Sequence, residues 1–239
     1  MDEYNIVGYY NQESSQYSNK RYDKHIDTYV KFFFNKRRDI VFQILRGITK
    51  DKKDLLLLDI ACADGIISRS VDKFFPNVFS KIVGTDIAPD MVIQAQKLSG
   101  EDKKFSFFVK NECPEVEFDI VLATGYLSAG IFDNEMAFLD RRIKRGGLYI
   151  CTAASSKSIY AKLKTYNKPY YKDYRTYSQY KKMLEEHFEV LEEYPYGLFI
   201  PKLWAFPRLA RKIQPIVESI FKNIVPNLFH EKVYLLRKK

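Results

Sequence analysis

The stretch LLLLDIACADGIISRSV, from Leu55 to Val71, constrains the fold of this chain more than any other. Its four consecutive leucines are typical of a strand that is covered on both faces of a parallel sheet. The run ends on Asp59 and opens into the small-residue loop Ala61–Gly65, after which the apolar spacing becomes helical. A second apolar run, Lys81–Thr85, likewise ends on an acid, Asp86. Strand, loop and helix in this order predict βαβ units around a parallel sheet.

The alternation of strands and helices continues along the chain and predicts an α/β fold class. We expect Gly146-Gly147 to turn the chain into the fifth strand, and the last two strands to extend the sheet as an antiparallel pair. The predicted helices are Tyr22–Ile48, Ile66–Phe75, Pro89–Leu98, Asn134–Lys144 and Thr176–Glu186, and the further predicted strands are Phe105–Val109, Phe118–Ala123, Leu148–Ala153, Phe188–Glu193 and Glu231–Leu236.

The composition favours one globular domain. The chain has 239 residues, of which 46% are hydrophobic, enough to build a core. The sequence contains no run of about 18 uncharged apolar residues, so we predict no transmembrane helix. The N-terminus lacks the pattern of a secretory signal. The isolated cysteines Cys62, Cys113 and Cys151 lack metal-binding spacing, so we expect a reduced, cytoplasmic compartment and no metal site.

The net charge of +9 is carried by the last third of the chain. Residues 1–156 hold equal numbers of acidic and basic side chains, whereas residues 157–239 hold 17 basic and 8 acidic ones. We therefore expect an anionic partner to bind in this third. Its segment 198–228 mixes apolar and basic residues, which is typical of an amphipathic segment at the inner face of a membrane, or of a helical hairpin packed on the sheet or on a second subunit.

The loop after the first strand predicts a ligand site, because ligands of open parallel sheets bind beyond the carboxyl ends of the strands. A dinucleotide requires the pattern GxGxxG against its pyrophosphate, but this loop reads A-C-A-D-G, and Asp64 would repel that group. A sulfonium cofactor tolerates the acid. Asp86 can accept both hydroxyls of an adenosine ribose, and Ile87 can cover the adenine.

The segments L-D-I-A-C-A-D-G and G-T-D-I-A-P-D-M resemble the first two motifs of the class I S-adenosylmethionine-dependent methyltransferases of the small-molecule and lipid type. The usual loop of the family is D-x-G-x-G-x-G, and here Ala61 and Ala63 replace its first two glycines. The resemblance extends over residues 55–155, less closely over 176–194, and loosely over the first 50 residues. It implies a Rossmann-like, seven-stranded, mostly parallel sheet with helices on both faces and a helical cap insertion, with S-adenosylmethionine as cofactor.

The resemblance also implies which residues bind the cofactor. The loop is expected to hold its methionine portion and Asp86 its ribose, while either Asn111 or Glu112 reaches the adenine amino group. Thr124 and Gly125 are expected to border the transferred methyl, and Tyr10, Tyr17 or Tyr22 to close over the site, for which we select Tyr17. The predicted cofactor-binding residues are Asp59, Ala61, Cys62, Ala63, Gly65, Asp86, Ile87, Asn111, Glu112, Thr124 and Tyr17.

Simpler interpretations remain for several of these residues. The loop taken alone is an ordinary strand-to-helix turn, Asp86 a helix N-cap, and Tyr17 a core aromatic. The histidines His25, His187 and His230 are interpreted as structural. The sequence identifies no catalytic base, and methyl transfer can proceed without one, since a sulfonium methyl is already activated and positioning of the acceptor can supply much of the acceleration.

The predicted domain organisation is an N-terminal helical cap at 1–50 and a methyltransferase domain at 51–239, which includes a basic, tyrosine-rich lid at 156–182 and the amphipathic insertion at 198–228. The predicted reaction is methyl transfer to a small-molecule or lipid-linked, anionic acceptor. The interleaved lysines and tyrosines of the lid also suit an RNA methyltransferase, although no RNA-binding module is recognised. A catalytically silent subunit that binds a partner or a membrane surface is the third hypothesis.

Overall fold

Seven strands form one sheet in the order β3-β2-β1-β4-β5-β7-β6. The computed structural model describes residues 3–125, 132–165 and 175–239. The first five strands run parallel, and β7 lies antiparallel between β5 and β6. The strands are β1 (Leu55–Ile60), β2 (Phe79–Asp86), β3 (Phe105–Val109), β4 (Phe118–Ala123), β5 (Ile143–Ala154), β6 (Phe188–Tyr196) and β7 (Glu231–Lys238). The predicted α/β class and the antiparallel final pair are confirmed, and the strand order reverses between β1 and β4, where such sheets bind ligands.

Helices cover both faces of this sheet, as predicted. Successive residues of a strand point to opposite faces, so Leu57 packs with the helices α3 and α4, while Leu58 packs with α6 and α7. This alternation explains why the leucine run of β1 is apolar throughout. The helices are α1 (Glu3–Glu13), α2 (Tyr17–Tyr22), α3 (Tyr29–Ile48), α4 (Ile66–Phe74), α5 (Pro89–Ser99), α6 (Phe132–Asp140), α7 (Tyr177–His187) and α8 (Pro207–Phe221).

The helix predicted over residues 22–48 is interrupted. Residues 23–28 are not helical, and α3 begins only after Thr28, whose side chain accepts a hydrogen bond from the backbone N–H of Lys31. Asp23 accepts a hydrogen bond from the N–H of His25, two residues later. Short polar side chains that bind the nearby backbone in this way compete with the helix and end it. The apolar periodicity across the break reflects burial on both sides of it.

The fifth strand begins earlier than predicted. The helix expected to reach Lys144 ends at Asp140, and β5 starts at Ile143, so Gly146 and Gly147 lie within the strand instead of in a turn before it. Gly146 has φ of +72°, and the pairing with β4 shifts register beside Phe118. The glycines therefore mark an irregularity inside a longer strand.

The structure describes the predicted lid at 156–182 only in part, and the predicted insertion at 198–228 contains one α-helix. Within the predicted lid, residues 166–174 lie outside the described residues, and Tyr177 and Tyr180 at its end are buried in α7. The segment 198–228 contains α8. Within the described ranges, no helix combines the length and apolar character needed to cross a membrane.

Gly84 of β2 provides a test of the packing between the sheet and the loop that follows β1. A Cβ atom at this position would lie 2.5 Å from Cδ1 of Phe107 and 2.9 Å from Sγ of Cys62. We expect Gly84→Ala to lower the free energy of unfolding by about 1–3 kcal/mol through overpacking. Urea denaturation measures this change.

The matched control is Gly47→Ala, since nothing lies within 4 Å of a Cβ built at that exposed position of α3. The same substitution there should raise stability by about 0.5–1 kcal/mol because alanine favours the helix. Equal effects of the two substitutions would contradict the close approach at Gly84.

Candidate cofactor site

The loop between β1 and α4 takes left-handed backbone angles at every second residue. The φ values are +56° at Ala61, +50° at Ala63 and +74° at Gly65. Glycine is the usual residue at such angles, because a Cβ makes this conformation unfavourable by about 1–2 kcal/mol per residue. The two alanines therefore keep the backbone of a glycine-rich loop in spite of their side chains.

The carboxylate of Asp86 binds this loop from the end of β2. One of its oxygens accepts a hydrogen bond of 2.9 Å from the N–H of Ala63, and the other accepts one of 2.9 Å from the N–H of Ala88. Asp86 is buried, and burial raises the pKa of its carboxyl above the ordinary value. Each carboxylate oxygen has a second lone pair, so two acceptor positions remain for the hydroxyls of a ligand.

Asp59 lies at the end of β1 and is fully buried beneath the loop. Its carboxylate accepts a hydrogen bond of 2.7 Å from the hydroxyl of Ser68 in α4. The pKa of Asp59 is raised to about 7, chiefly by burial, with the hydrogen bonds from Ser68 opposing the rise and the nearby Asp86 adding to it. A cation placed beside Asp59 would favour its charged form. The site is thus suited to a ligand with a positive charge.

Asp64, also buried, connects the loop to the N-terminal helices. Its carboxylate accepts hydrogen bonds from the backbone N–H of Ser18, at 3.2 Å, and from the Ser18 hydroxyl. Tyr10 and Tyr17 pack against the small cluster of Ala63, Ala88 and Met91. A helix pair near the N-terminus therefore covers the loop, with Tyr17 beside Ala63.

The other predicted residues differ in their exposure. Ile87 and Thr124 are half-buried, and Cys62 is buried, with its thiol pKa raised by burial. Asn111 and Glu112 lie exposed in a short 3₁₀ turn directly after β3. Neither of the two is distinguished by a contact to the loop, and the choice between them stays open.

An ion pair that the sequence analysis missed lies beside the end of β4. Arg37 of α3 binds both carboxylate oxygens of Glu231, at 2.9 and 3.0 Å, and donates to the hydroxyl of Tyr196 at 2.9 Å. All three side chains are buried. A Cβ at Gly125 would lie 2.9 Å from Nη1 of Arg37, and the Gly125 N–H donates to Thr152. The pair is separated by 194 residues, so no local signal could have indicated it.

The three histidines have different environments. His25 and His187 are exposed. His230 is buried, with its ring stacked on those of Phe33 and Tyr160 at centroid distances of 4.6 and 4.2 Å. Burial lowers the pKa of His230 to about 4, so its ring is neutral at pH 7.

Comparison with known proteins supports the fold assignment. No family model matches the chain. Over 75 residues the chain is 36% identical to malonyl-[acyl-carrier protein] O-methyltransferase 1 from Ilyobacter polytropus, a match that spans 30% of this chain and 27% of that protein. The chain thus matches about a quarter of the length of this curated relative.

Among solved structures, magnesium protoporphyrin IX methyltransferase (ChlM) from Synechocystis PCC 6803, with bound SAH, superposes over all of both chains with a TM-score of 0.66 and 14% identity. The [4+2]-cyclase SpnF superposes with a TM-score of 0.58 and 17% identity over 84% of this chain and 81% of that one. At these identities the likeness shows the fold, and SpnF shows that the fold is also used by a cyclase. The predicted Rossmann-like class I methyltransferase fold is confirmed.

The raised pKa of Asp59 predicts how stability depends on pH. Since the folded state holds the proton more tightly than the unfolded state, stability is lost as the pH rises from the ordinary value of 3.8 to about 7. We measure the cofactor-free protein at about pH 5 and about pH 8. Over this interval we expect the free energy of unfolding of the unaltered protein to fall by about 2–3 kcal/mol more than that of the Asp59→Asn variant. Urea denaturation at both pH values measures this difference.

The control for this experiment is Asp39→Asn. Asp39 is exposed on α3 and pairs only with its neighbour Arg38 among the described residues. This variant should keep the pH dependence of the unaltered protein. A pH dependence that is the same with and without the Asp59 carboxyl would show that Asp59 titrates normally.

The left-handed conformation of Ala63 predicts that glycine is tolerated at this position and that valine is not. Ala63→Gly should change the free energy of unfolding by less than about 1 kcal/mol, because relief of backbone strain is offset by the greater freedom of the unfolded chain. Ala63→Val should destabilise by more than about 1 kcal/mol, since a β-branched residue is rarely found at positive φ. Thermal or urea unfolding of both variants measures the effect, and a tolerated valine would contradict the observed backbone.

Proposed function

We propose that this chain, which has the class I S-adenosylmethionine-dependent methyltransferase fold, binds S-adenosylmethionine at the β1–α4 loop and transfers its methyl group to a small-molecule or lipid-linked acceptor. The observation that carries this proposal is the combination of a left-handed small-residue loop with the buried Asp86 at the neighbouring strand end. When bound, S-adenosylmethionine supplies a methyl group activated by a sulfonium.

The residues of the site fit this cofactor. Asp86 keeps acceptor positions for ribose hydroxyls, and the half-buried Ile87 next to it offers an apolar surface for adenine. The buried Asp59 favours a cation over a phosphate, and Asp64 does likewise. Tyr17 covers the loop from the N-terminal helices and excludes water from it. In this assignment these residues bind and orient the cofactor.

The acceptor class is inferred from the charge of the chain and from its relatives. The last third carries all of the excess positive charge, which suits an anionic acceptor. The names of the two methyltransferase relatives specify a malonyl group on a carrier protein and a porphyrin, neither of which is a nucleic acid. These features favour a carboxylate-bearing or lipid-linked acceptor over RNA.

Calorimetry with S-adenosylmethionine and S-adenosylhomocysteine tests the proposal. We expect both to bind, and Asp86→Ala to weaken binding tenfold or more, about 1.4 kcal/mol, because the ribose loses its acceptor. Asp39→Ala removes an exposed carboxylate and should leave the affinity unchanged. Thermal unfolding of each variant separates a lost contact from a lost fold.

Cofactor-free protein that binds neither ligand would overturn the proposal and favour the catalytically silent subunit. If binding is found, transfer of a labelled methyl group identifies the acceptor class. We expect label in carboxylate-bearing small molecules or anionic lipids. Label in RNA instead would favour the RNA methyltransferase, and its formation should then fall steeply with salt.

A further inference from the structure

The helix α8 exposes its apolar residues and buries polar ones. Of the large hydrophobic side chains exposed among the described residues, six fall between positions 206 and 224, with exposed fractions of 40–67%. They are Phe206, Leu209, Ile216, Ile220, Phe221 and Ile224. Leu209, Ile216 and Ile220 are seven and four residues apart, a spacing that places them on one face of the helix.

The helix is attached to the domain by a different face. Its buried residues are Ala210, Gln214 and Glu218, also four residues apart. The amide of Gln214 donates to the carbonyl of Leu198, and the carboxylate of Glu218 accepts a hydrogen bond of 2.9 Å from the N–H of the same residue. These polar contacts hold α8 against the chain that follows β6. The apolar face is therefore not needed to bind the helix to its own domain.

The exposed charged side chains of the segment that contains this apolar face are all positive. Residues 198–228 contain the five basic side chains Lys202, Arg208, Arg211, Lys212 and Lys222, all exposed. The single acid of the segment, Glu218, is buried and occupied by the hydrogen bond to Leu198. Arg208, Arg211 and Lys222 share the helix face away from the isoleucines, and Lys212 borders the isoleucines directly. The surface combines an apolar row with cations and offers no exposed carboxylate.

We infer that this surface, formed by residues 206–224, lies on an anionic lipid bilayer, with the apolar row in the acyl boundary and the basic side chains at the headgroups. Apolar and basic faces on one surface helix match the two components of such a membrane. A second copy of the chain fits less well, because a symmetric contact through the isoleucines would bring the bordering Lys212 of each copy together without an opposing carboxylate from this segment. The inference does not rest on the proposed methyl transfer.

Vesicle flotation with the full chain tests this inference, without cofactor or acceptor. The protein should float with phosphatidylcholine vesicles that contain about 30% phosphatidylglycerol, and at least about tenfold less with phosphatidylcholine alone. Raising the salt to about 0.5 M should reduce the binding. Equal binding to both vesicles, or none to either, would overturn the inference.

Paired variants separate the surface from the rest of the molecule. Ile216→Glu with Ile220→Glu should reduce binding to anionic vesicles about tenfold or more, because two apolar anchors are replaced by repelled charges. Ile93→Glu is the control: Ile93 is 60% exposed on α5, far along the chain, and its replacement should leave binding unchanged. Since all three isoleucines are exposed, thermal unfolding should be alike in the variants. Equal binding by both variants would overturn the inference.

Sedimentation velocity tests whether a second copy of the chain, and not a membrane, covers this surface. The inference expects a species whose mass does not depend on residues Ile216 and Ile220. Dimers that dissociate in the Ile216→Glu, Ile220→Glu variant would assign the surface to a second copy instead. The proposed cofactor binding and the inferred membrane binding are tested separately, since the calorimetry uses variants of Asp86 and the flotation uses variants of α8.

Discussion

The hydrogen bond from the Ala63 N–H to the Asp86 carboxylate is the contact on which the candidate site depends. It joins the loop after β1 to the end of β2, and it holds an alanine in a backbone conformation that glycine usually occupies. A buried carboxylate that accepts two backbone N–H groups is costly to replace, because each donor would lose its partner. The close packing of Phe107 and Cys62 on Gly84 supports the same junction from β2 and β3.

Two further polar connections place the N-terminal helices relative to the sheet. Ser18 binds Asp64 of the loop, and Arg37 binds Glu231 at the start of β7. Both acids are buried: Glu231 is paired with a cation, and Asp64 accepts hydrogen bonds from the backbone and side chain of Ser18. The first connection covers the loop, and the second lies beside Gly125 at the end of β4. Together they place α2 and α3 around the carboxyl edge of the parallel strands, the edge at which ligands of such sheets bind.

At two places the molecule departs from the usual burial of apolar and exposure of polar side chains. Beneath the loop, Asp59 is buried with one hydroxyl partner, which suits a site completed by a cationic ligand. On α8, Gln214 and Glu218 are buried while isoleucines face outward, which suits a surface completed by an apolar partner. In both cases the departure from ordinary burial is the observation from which the proposal is argued.

The sequence by itself determined the fold class, the parallel strands and the position of the loop, because these depend on local patterns: apolar runs, helical periodicity and small residues after Asp59. It also placed Asp86 at the end of the second strand, because the apolar run before it is a local pattern. The sequence did not predict the break at residues 23–28 or the early start of β5, since capping and strand pairing depend on backbone contacts that hydrophobicity does not report. Only the tertiary structure decided that Ser18 meets Asp64, that Arg37 meets Glu231 and that α8 turns its polar row inward. Each of these contacts joins separated segments, and their geometry arises only when the whole chain has packed.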